Sequence, residues 1–549
     1  MPSDRRLSDQ QRGRYADVNS DFDDHDFDLD AHADFDDGEF GDDLDLEESI
    51  NALLPEADRT GGPSRPRRQS SATFELDNQF LIPLSSTLSR SELALPADLT
   101  FLSALGLIIG MSIGSGIFAS PGPVFAHAGS VGAALMVWLG AGLLAISGGM
   151  CYAELGTAFP SSGGEHPYLM AAFGDLPAFL FSWTGATVTR PGSVSIISII
   201  TAEYAVRLMY YNHPDPSSEA LPSWLVKFMA VITILALTAL NSMSTRAGTL
   251  VQNIFTILKL ASLVVIGLIG VVKLARGHVV GDPADGSENF NHSSLFQGSS
   301  TSPGDYALAL YSALWAYDGW NNLNLVAGEL KNPSKDLPRA VTLGPLIVII
   351  CYLLANVAYY AVLPADTIAN SNTIAMHFGR RVFGHVGAII IPLIVVGSTL
   401  GASNASIFSG ARVAYVSARA SHLPSFLGKI HPRYKTPFNA LLTQSTLSVV
   451  FVLFGSFTSL VTFYSMIAWL FYLLAVLALL VLRRSQPHLD RPYRVYTPVA
   501  ATFLASVVFL LASSALAAPV QALGALAFVT SGVPVYWVVV RKKLGWDGK

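Results

Sequence analysis

The chain has 549 residues, of which 51% are apolar and only 13% charged, with a mean hydropathy of +0.44. Soluble proteins carry about 25% charged residues, so a string of water-soluble domains is excluded and a polytopic membrane protein is expected. The net charge of −6 conceals a split: residues 1–100 hold 24 acidic and 9 basic residues, a net −15, and the rest of the chain is +9.

The first element is the acidic tail. Residues 15–48 are dominated by Asp and Glu, with Phe22, Phe27, Phe35 and Phe40 spaced among them. Like-charge repulsion and scarce aliphatics prevent a packed core, so residues 1–98 are expected to be a disordered cytoplasmic segment. Arg65, Arg67 and Arg68 continue the disorder with opposite charge. Such a tail is either a plain solvating segment or a docking motif for a cytosolic adaptor. No apolar stretch of signal-peptide type opens the chain.

A membrane-spanning helix needs ~20 mostly apolar residues. Twelve such stretches follow, at roughly 101–125, 131–159, 176–208, 222–241, 248–274, 305–328, 338–363, 384–416, 437–456, 458–483, 499–518 and 520–541. They make residues 99–543 a twelve-helix body, followed by a short cytoplasmic C-terminus at 544–549. Placing the N-terminus inside puts sixteen Lys and Arg in the inner loops and C-terminal end, against six in or beside the outer loops. This bias predicts that both termini are cytoplasmic. The sequon Asn291-His292-Ser293 then falls in an outer loop, between the fifth and sixth spans. Cys151 and Cys351 both lie in apolar runs, so no disulfide framework is expected.

Two spans carry breaks. The first contains Gly110, Gly114 and Gly116 within seven residues, and each glycine weakens a helix by roughly 1 kcal/mol relative to Ala. The sixth contains Trp315-Ala316-Tyr317-Asp318-Gly319-Trp320-Asn321-Asn322, a charge, a glycine and two amides at membrane depth. These are the first members of two five-helix sets, and interrupted spans in corresponding halves point to a transporter site at the interface of a 5+5 inverted repeat. Half-helix N-termini offer N–H groups to an anion and half-helix C-termini offer carbonyls to a cation, an arrangement that suits a zwitterion such as an amino acid. Close helix packing is the competing account of the glycines. Lys259, near the middle of the fifth span, is costly in hydrocarbon, by about 2.5–3.5 kcal/mol on insertion scales. Glu154 also lies within a span and is expected to be structural, held by backbone or an arginine.

Several segments carry a resemblance: Gly114-Ser115-Gly116-Ile117-Phe118, Cys151-Tyr152-Ala153-Glu154-Leu155-Gly156-Thr157, Ser162-Gly163-Gly164-Glu165, Gly319-Trp320-Asn321, Asn332-Pro333, His422-Leu423-Pro424 and Ser531-Gly532-Val533-Pro534. From about residue 100 to 543 the chain resembles the L-type amino-acid transporters of the amino acid–polyamine–organocation superfamily. The resemblance implies a secondary transporter of amino acids working by alternating access in the plasma membrane. The substrate carboxylate would rest on the Gly114-Ser115-Gly116 break, with Ser112 standing where the family has an apolar residue. The α-amino group would meet carbonyls of Trp315, Ala316 and Asp318, with Trp315 as aromatic gate and Asn321 as the family's asparagine. Lys259 would replace a sodium ion as the coupling or structural cation.

Asp318 stands where members preferring large neutral substrates have glycine, and the resemblance then points to cationic substrates as well. The alternative is an aspartate paired internally, with Arg190 or Lys259. His166 replaces a common aromatic and is expected to be structural. Some relatives require a disulfide-linked single-span glycoprotein, but the outer loop from Tyr210 to Pro222 has no cysteine, so no such heavy chain is expected. An amino-acid sensor signalling through the acidic tail is the alternative function. No Ser/His/Asp arrangement, metal-spaced His/Cys cluster or phosphate loop is present, so neither an enzyme, a metal, a cofactor nor a nucleic-acid partner is expected.

Overall fold

The computed structural model describes residues 99–159, 164–210, 222–243, 246–276, 289–290, 295–419, 422–431 and 436–538. The acidic tail, the sequon and most of the outer loop after Tyr210 lie outside these residues. What is described is helical, apart from an isolated parallel bridge between Leu99 and Leu330.

The first span is α1 (Phe101–Ser112) and α2 (Gly116–Ala119), followed by α3 (Pro121–Ala128), which ends at Gly129 with a left-handed φ of 79°. The Ser130 side chain then caps α4 (Val131–Ala158) by accepting from the Ala133 N–H. The short α5 (Glu165–Phe173) leads into α6 (Asp175–Thr184), a π-helical turn at Gly185–Thr189, and α7 (Arg190–Met209). Pro191 supplies the reason for that turn, because its ring cannot donate and crowds the carbonyl four residues back. Next come α8 (Ser223–Met243) and α9 (Arg246–Arg276). The sixth expected span is α10 (Pro303–Ala316), a turn, and a 3-10 segment at Asn322–Glu329.

The remaining helices are α11 (Pro333–Val362), α12 (Ala365–Ala369), α13 (Ile374–Arg419), α14 (Phe438–Phe454), α15 (Phe457–Ser485), α16 (Thr497–Ala517) and α17 (Pro519–Tyr536). The eighth expected span is longer than hydropathy suggested. A helical segment precedes residue 384 and joins the rest at Gly384, whose φ of 61° only glycine adopts freely. Nine helices among the described residues are long and apolar enough to cross a membrane, with shorter apolar helices at Leu260–Lys273 and Phe438–Phe454. Those two and α10 coincide with the other three expected spans. The chain is therefore an integral membrane protein, and its outward side chains, such as Phe228, Leu268 and Leu523, are apolar and exposed.

Packing is paired across the chain. Helix α7 lies along α13 and α4 along α11. Helix α1 meets α11, as α10 meets α4; α9 meets both α11 and α13, as α15 meets both α4 and α7. Glu154 is 1% exposed and accepts from Arg483 Nε at 2.8 Å and from the Val495 N–H at 2.8 Å. Arg491 lies 3.7 Å away. The expected backbone and arginine partners are thus both present, and they tie α4 to the connection between α15 and α16.

Candidate functional site

The first break is a compact turn. Ile113 has φ −76° and ψ 81°, close to an inverse γ-turn, and the Gly114 N–H donates to the Ser112 carbonyl at 2.8 Å. Past this turn, the N–H groups of Ser115, Gly116 and Ile117 meet no acceptor among the described residues. They are the orphan donors of a half-helix start. Beyond them, the Phe118 carbonyl accepts from the Tyr204 hydroxyl at 2.6 Å, which fastens α2 to α7.

The second break begins where α10 stops at Ala316. The Asp318 N–H donates to the Trp315 carbonyl at 3.2 Å, and Gly319 turns the chain with φ 106°. The two breaks touch. A Cβ built on Gly116 would lie 2.3 Å from Ala316 Cα, and one on Gly319 would lie 3.1 Å from Met111 Cβ. One hydroxyl spans the junction: Tyr352 Oη, on α11, lies 2.8 Å from both the Ser112 and the Ala316 carbonyl oxygens, to which it donates. Ser112 is 3% exposed, and its own hydroxyl has no hydrogen-bond partner.

The opposite face of the second break looks toward α15. Trp315 stands edge-on to Tyr464, with ring centroids 5.0 Å apart. The Tyr464 hydroxyl donates to Asp318 Oδ2 at 2.9 Å and that of Tyr472 approaches Oδ1 at 3.5 Å. A small pocket with a cavity volume of about 10 Å³ lies here, lined by residues that include Trp315, Asp318, Tyr464, Ser465 and Tyr472. Among the described residues the internal partners of Asp318 are therefore tyrosine hydroxyls and not an Arg190 ion pair; the Lys259 pair weighed from sequence falls on a side chain outside the described residues. Asn321 sits elsewhere. Its amide donates to Glu165 Oε1 at 2.9 Å, and the Tyr152 hydroxyl donates to the same atom at 3.1 Å. Burial pushes the Glu165 carboxyl above the ordinary carboxylate value, opposed by those hydrogen bonds and by the charge of Arg190.

The expected site residues thus divide. Ser112, Gly114, Ser115, Gly116 and Ala316 form the junction between the breaks, Trp315 and Asp318 face the pocket, and Asn321 braces α5. Lys259 lies on α9, but its side chain is outside the described residues. Tyr352, Tyr464 and Tyr472 escaped the sequence reading, because a tyrosine in an apolar span carries no local mark of its distant partners. His166 is 7% exposed, its ring 5.3 Å from that of His422, and neither of its nitrogens has a hydrogen-bond partner.

Two broken helices meeting back to back inside a helical membrane bundle define a class of substrate-binding membrane carriers. The chain belongs to the amino acid permease family, whose model matches residues 99–540. It is 38% identical over 454 residues to mouse (Mus musculus) b(0,+)-type amino acid transporter 1, covering 82% of this chain and 90% of that protein. It is 36% identical over 448 residues to human (Homo sapiens) large neutral amino acids transporter small subunit 2, covering 81% of each chain. The resemblance drawn from the motifs is thereby established.

Proposed function

We propose that this protein is a secondary transporter that moves neutral and cationic amino acids across the plasma membrane by alternating access. The observation that carries the reading is the junction itself: unpartnered N–H groups at Ser115 and Gly116 stand against the carbonyl end of α10 at Ala316. A zwitterion placed there meets donors with its carboxylate and carbonyls with its ammonium group. The paired packing supports a 5+5 repeat, since exchanging the first five spans for the second five exchanges one set of contacts for the other. An odd number of spans per repeat makes the repeat inverted. Counting α9, α10 and α14 with the nine longer helices gives the twelve spans, and the excess of Lys and Arg on one side favours cytoplasmic termini.

Asp318 in the pocket wall supports acceptance of cationic side chains. The names of the two relatives agree with a range that includes neutral substrates. Lys259 serves as the resident cation in place of sodium, antiport is consistent with the two relatives, and the acidic tail is either a solvating segment or a docking motif for a cytosolic adaptor. A heavy chain linked by a disulfide at the outer loop after Tyr210 is not part of the proposal. Uptake by purified protein in liposomes tests the reading, with labelled leucine, methionine and arginine competed by all twenty amino acids. Saturable, competable uptake is expected, and its absence overturns the proposal. Asp318→Gly should lower arginine uptake more than leucine uptake, because two unit charges at ~4 Å and an effective dielectric near 20 interact by about 4 kcal/mol before desolvation. Equal losses would leave Asp318 a purely internal partner of its tyrosines.

A further inference from the structure

Two neighbouring residues at the start of α5 hold different parts of the molecule. Glu165 reaches the second break, where its Oε1 accepts from the Asn321 amide at 2.9 Å and from the Tyr152 hydroxyl at 3.1 Å. His166 reaches the end of α13. Its ring lies 5.3 Å from that of His422, tilted by 30°. The N–H groups of His422 and Leu423 both donate to the Ser417 carbonyl, at 2.9 and 3.2 Å, which fastens that segment to α13. Phe179 of α6 stands edge-on to His422 at 5.9 Å, and Tyr536 of α17 lies 5.3 Å beyond Phe179. The sixth and eighth expected spans are thus joined through the first two residues of one short helix. That helix runs between Gly164 and Gly174, at φ 61° and 84°, where the chain can pivot.

Both histidines lie outside the membrane-spanning helices and are buried, His166 to 7% and His422 to 9% exposure. Neither nitrogen of His166 has a hydrogen-bond partner. An imidazolium there meets neither water nor an acceptor, and two of them at this separation repel. The surrounding tyrosines, Tyr168, Tyr152 and Tyr472, do not titrate near neutral pH. On α15, Arg483 is held by Glu154. Asp175, one turn before Phe179 on α6, is exposed, and its charge acts on His422.

We propose that the His166–His422 contact is a proton-operated clasp on the sixth span: it is shut while both rings are neutral, and a proton on either opens it, turns α5 and withdraws Glu165 from Asn321. The inference rests on the transport reading above and names a regulation of the same site. Burial, and then the charge of His422, lower the His166 pKa from 6.5 to about 4. The shut clasp therefore binds a proton less readily than the open one, whose solvated ring returns to its ordinary value. Acid favours the open form, and between pH 7.5 and 5.5 the open-to-shut ratio should rise about tenfold.

The test is amide hydrogen exchange of the full chain in lipid nanodiscs, read at residues 165–173 and 322–329 and corrected for the intrinsic effect of pH. Wild-type protection of both segments should fall by about tenfold from pH 7.5 to 5.5. His166→Phe/His422→Phe keeps two rings in contact and removes both titrations, so its protection should change by less than about twofold. Glu165 and Asp175 remain in that variant and cannot account for a difference. A wild type without the acid response, or a double variant that retains it, overturns the inference. If the double variant does not fold, His166→Gln decides: a fall in protection under about threefold supports the clasp, and a larger one overturns it. Leucine uptake by the wild type in liposomes is measured alongside. Its absence overturns the transport reading itself, a result distinct from any protection ratio.

Discussion

Tyr352→Phe removes one oxygen atom from the centre of the molecule and nothing else. The ring remains between Trp138 and Tyr317, whose centroids lie 5.7 and 4.9 Å away, so no cavity opens. What is lost is the donor shared by the Ser112 and Ala316 carbonyls at 2.8 Å. The Ser112 carbonyl keeps its bond from the Gly114 N–H. That of Ala316 has no other partner in the broken segment, and a buried acceptor left unsatisfied costs about 1–3 kcal/mol. If about 1–2 kcal/mol of that falls on assembling the site, leucine kcat/KM drops about 5- to 30-fold. The assay is exchange kinetics in liposomes beside thermal unfolding in detergent. Kinetics and melting temperature both within about twofold and a degree of wild type would refute the idea that this hydroxyl holds the breaks together.

The other predictions concern packing and charge. Gly116→Ala places a methyl group against the Ala316 backbone and should cost about 1–3 kcal/mol by overpacking, read as lost transport at preserved surface expression. Wild-type uptake by that variant would mean the breaks separate freely. Glu154→Gln leaves Arg483 without its charged partner and should destabilise by about 3–5 kcal/mol, visible as a lower melting temperature, whereas an unchanged melt would show the tie to be idle. Burial, and then the charge of His422, lower the His166 pKa from 6.5 to about 4. The unfolded chain therefore binds the proton first, so this stability is complete above about pH 6.5 and is lost as pH falls toward about 4, by about 3 kcal/mol in all. His166→Phe should flatten that part of the melting profile, and an identical acid slope in the variant would assign it to other groups.

Hydropathy located the spans because lipid imposes a length and a composition on any helix that crosses it. The breaks were legible for a related reason: three glycines in α1–α2, and Asp318 with Gly319 after α10, are conspicuous against apolar surroundings. The partners were not. Tyr352 lies 240 residues from Ser112, and Tyr464 lies 146 from Asp318. Nothing local distinguishes either from a ring that merely fills space. The same limit explains Asp318 itself, for which charge pairing is the natural expectation when the cations are visible in the sequence and the geometry of hydroxyls is not. Gly384 shows the converse: its non-helical backbone kinks the chain between two helices, the first of which runs through residues too polar to be read as membrane-spanning.

The contact between Gly116 and Ala316 constrains how this carrier can diversify. Because backbone meets backbone there, no larger side chain is admitted on the α2 side without parting the two halves of the molecule. On the proposed reading, variation in substrate size then falls on the other wall, where Trp315, Tyr464, Ser465, Ala468 and Trp469 surround the pocket. In that reading one wall is fixed by assembly and meets what every amino acid shares, and the other is free to change with what sets them apart.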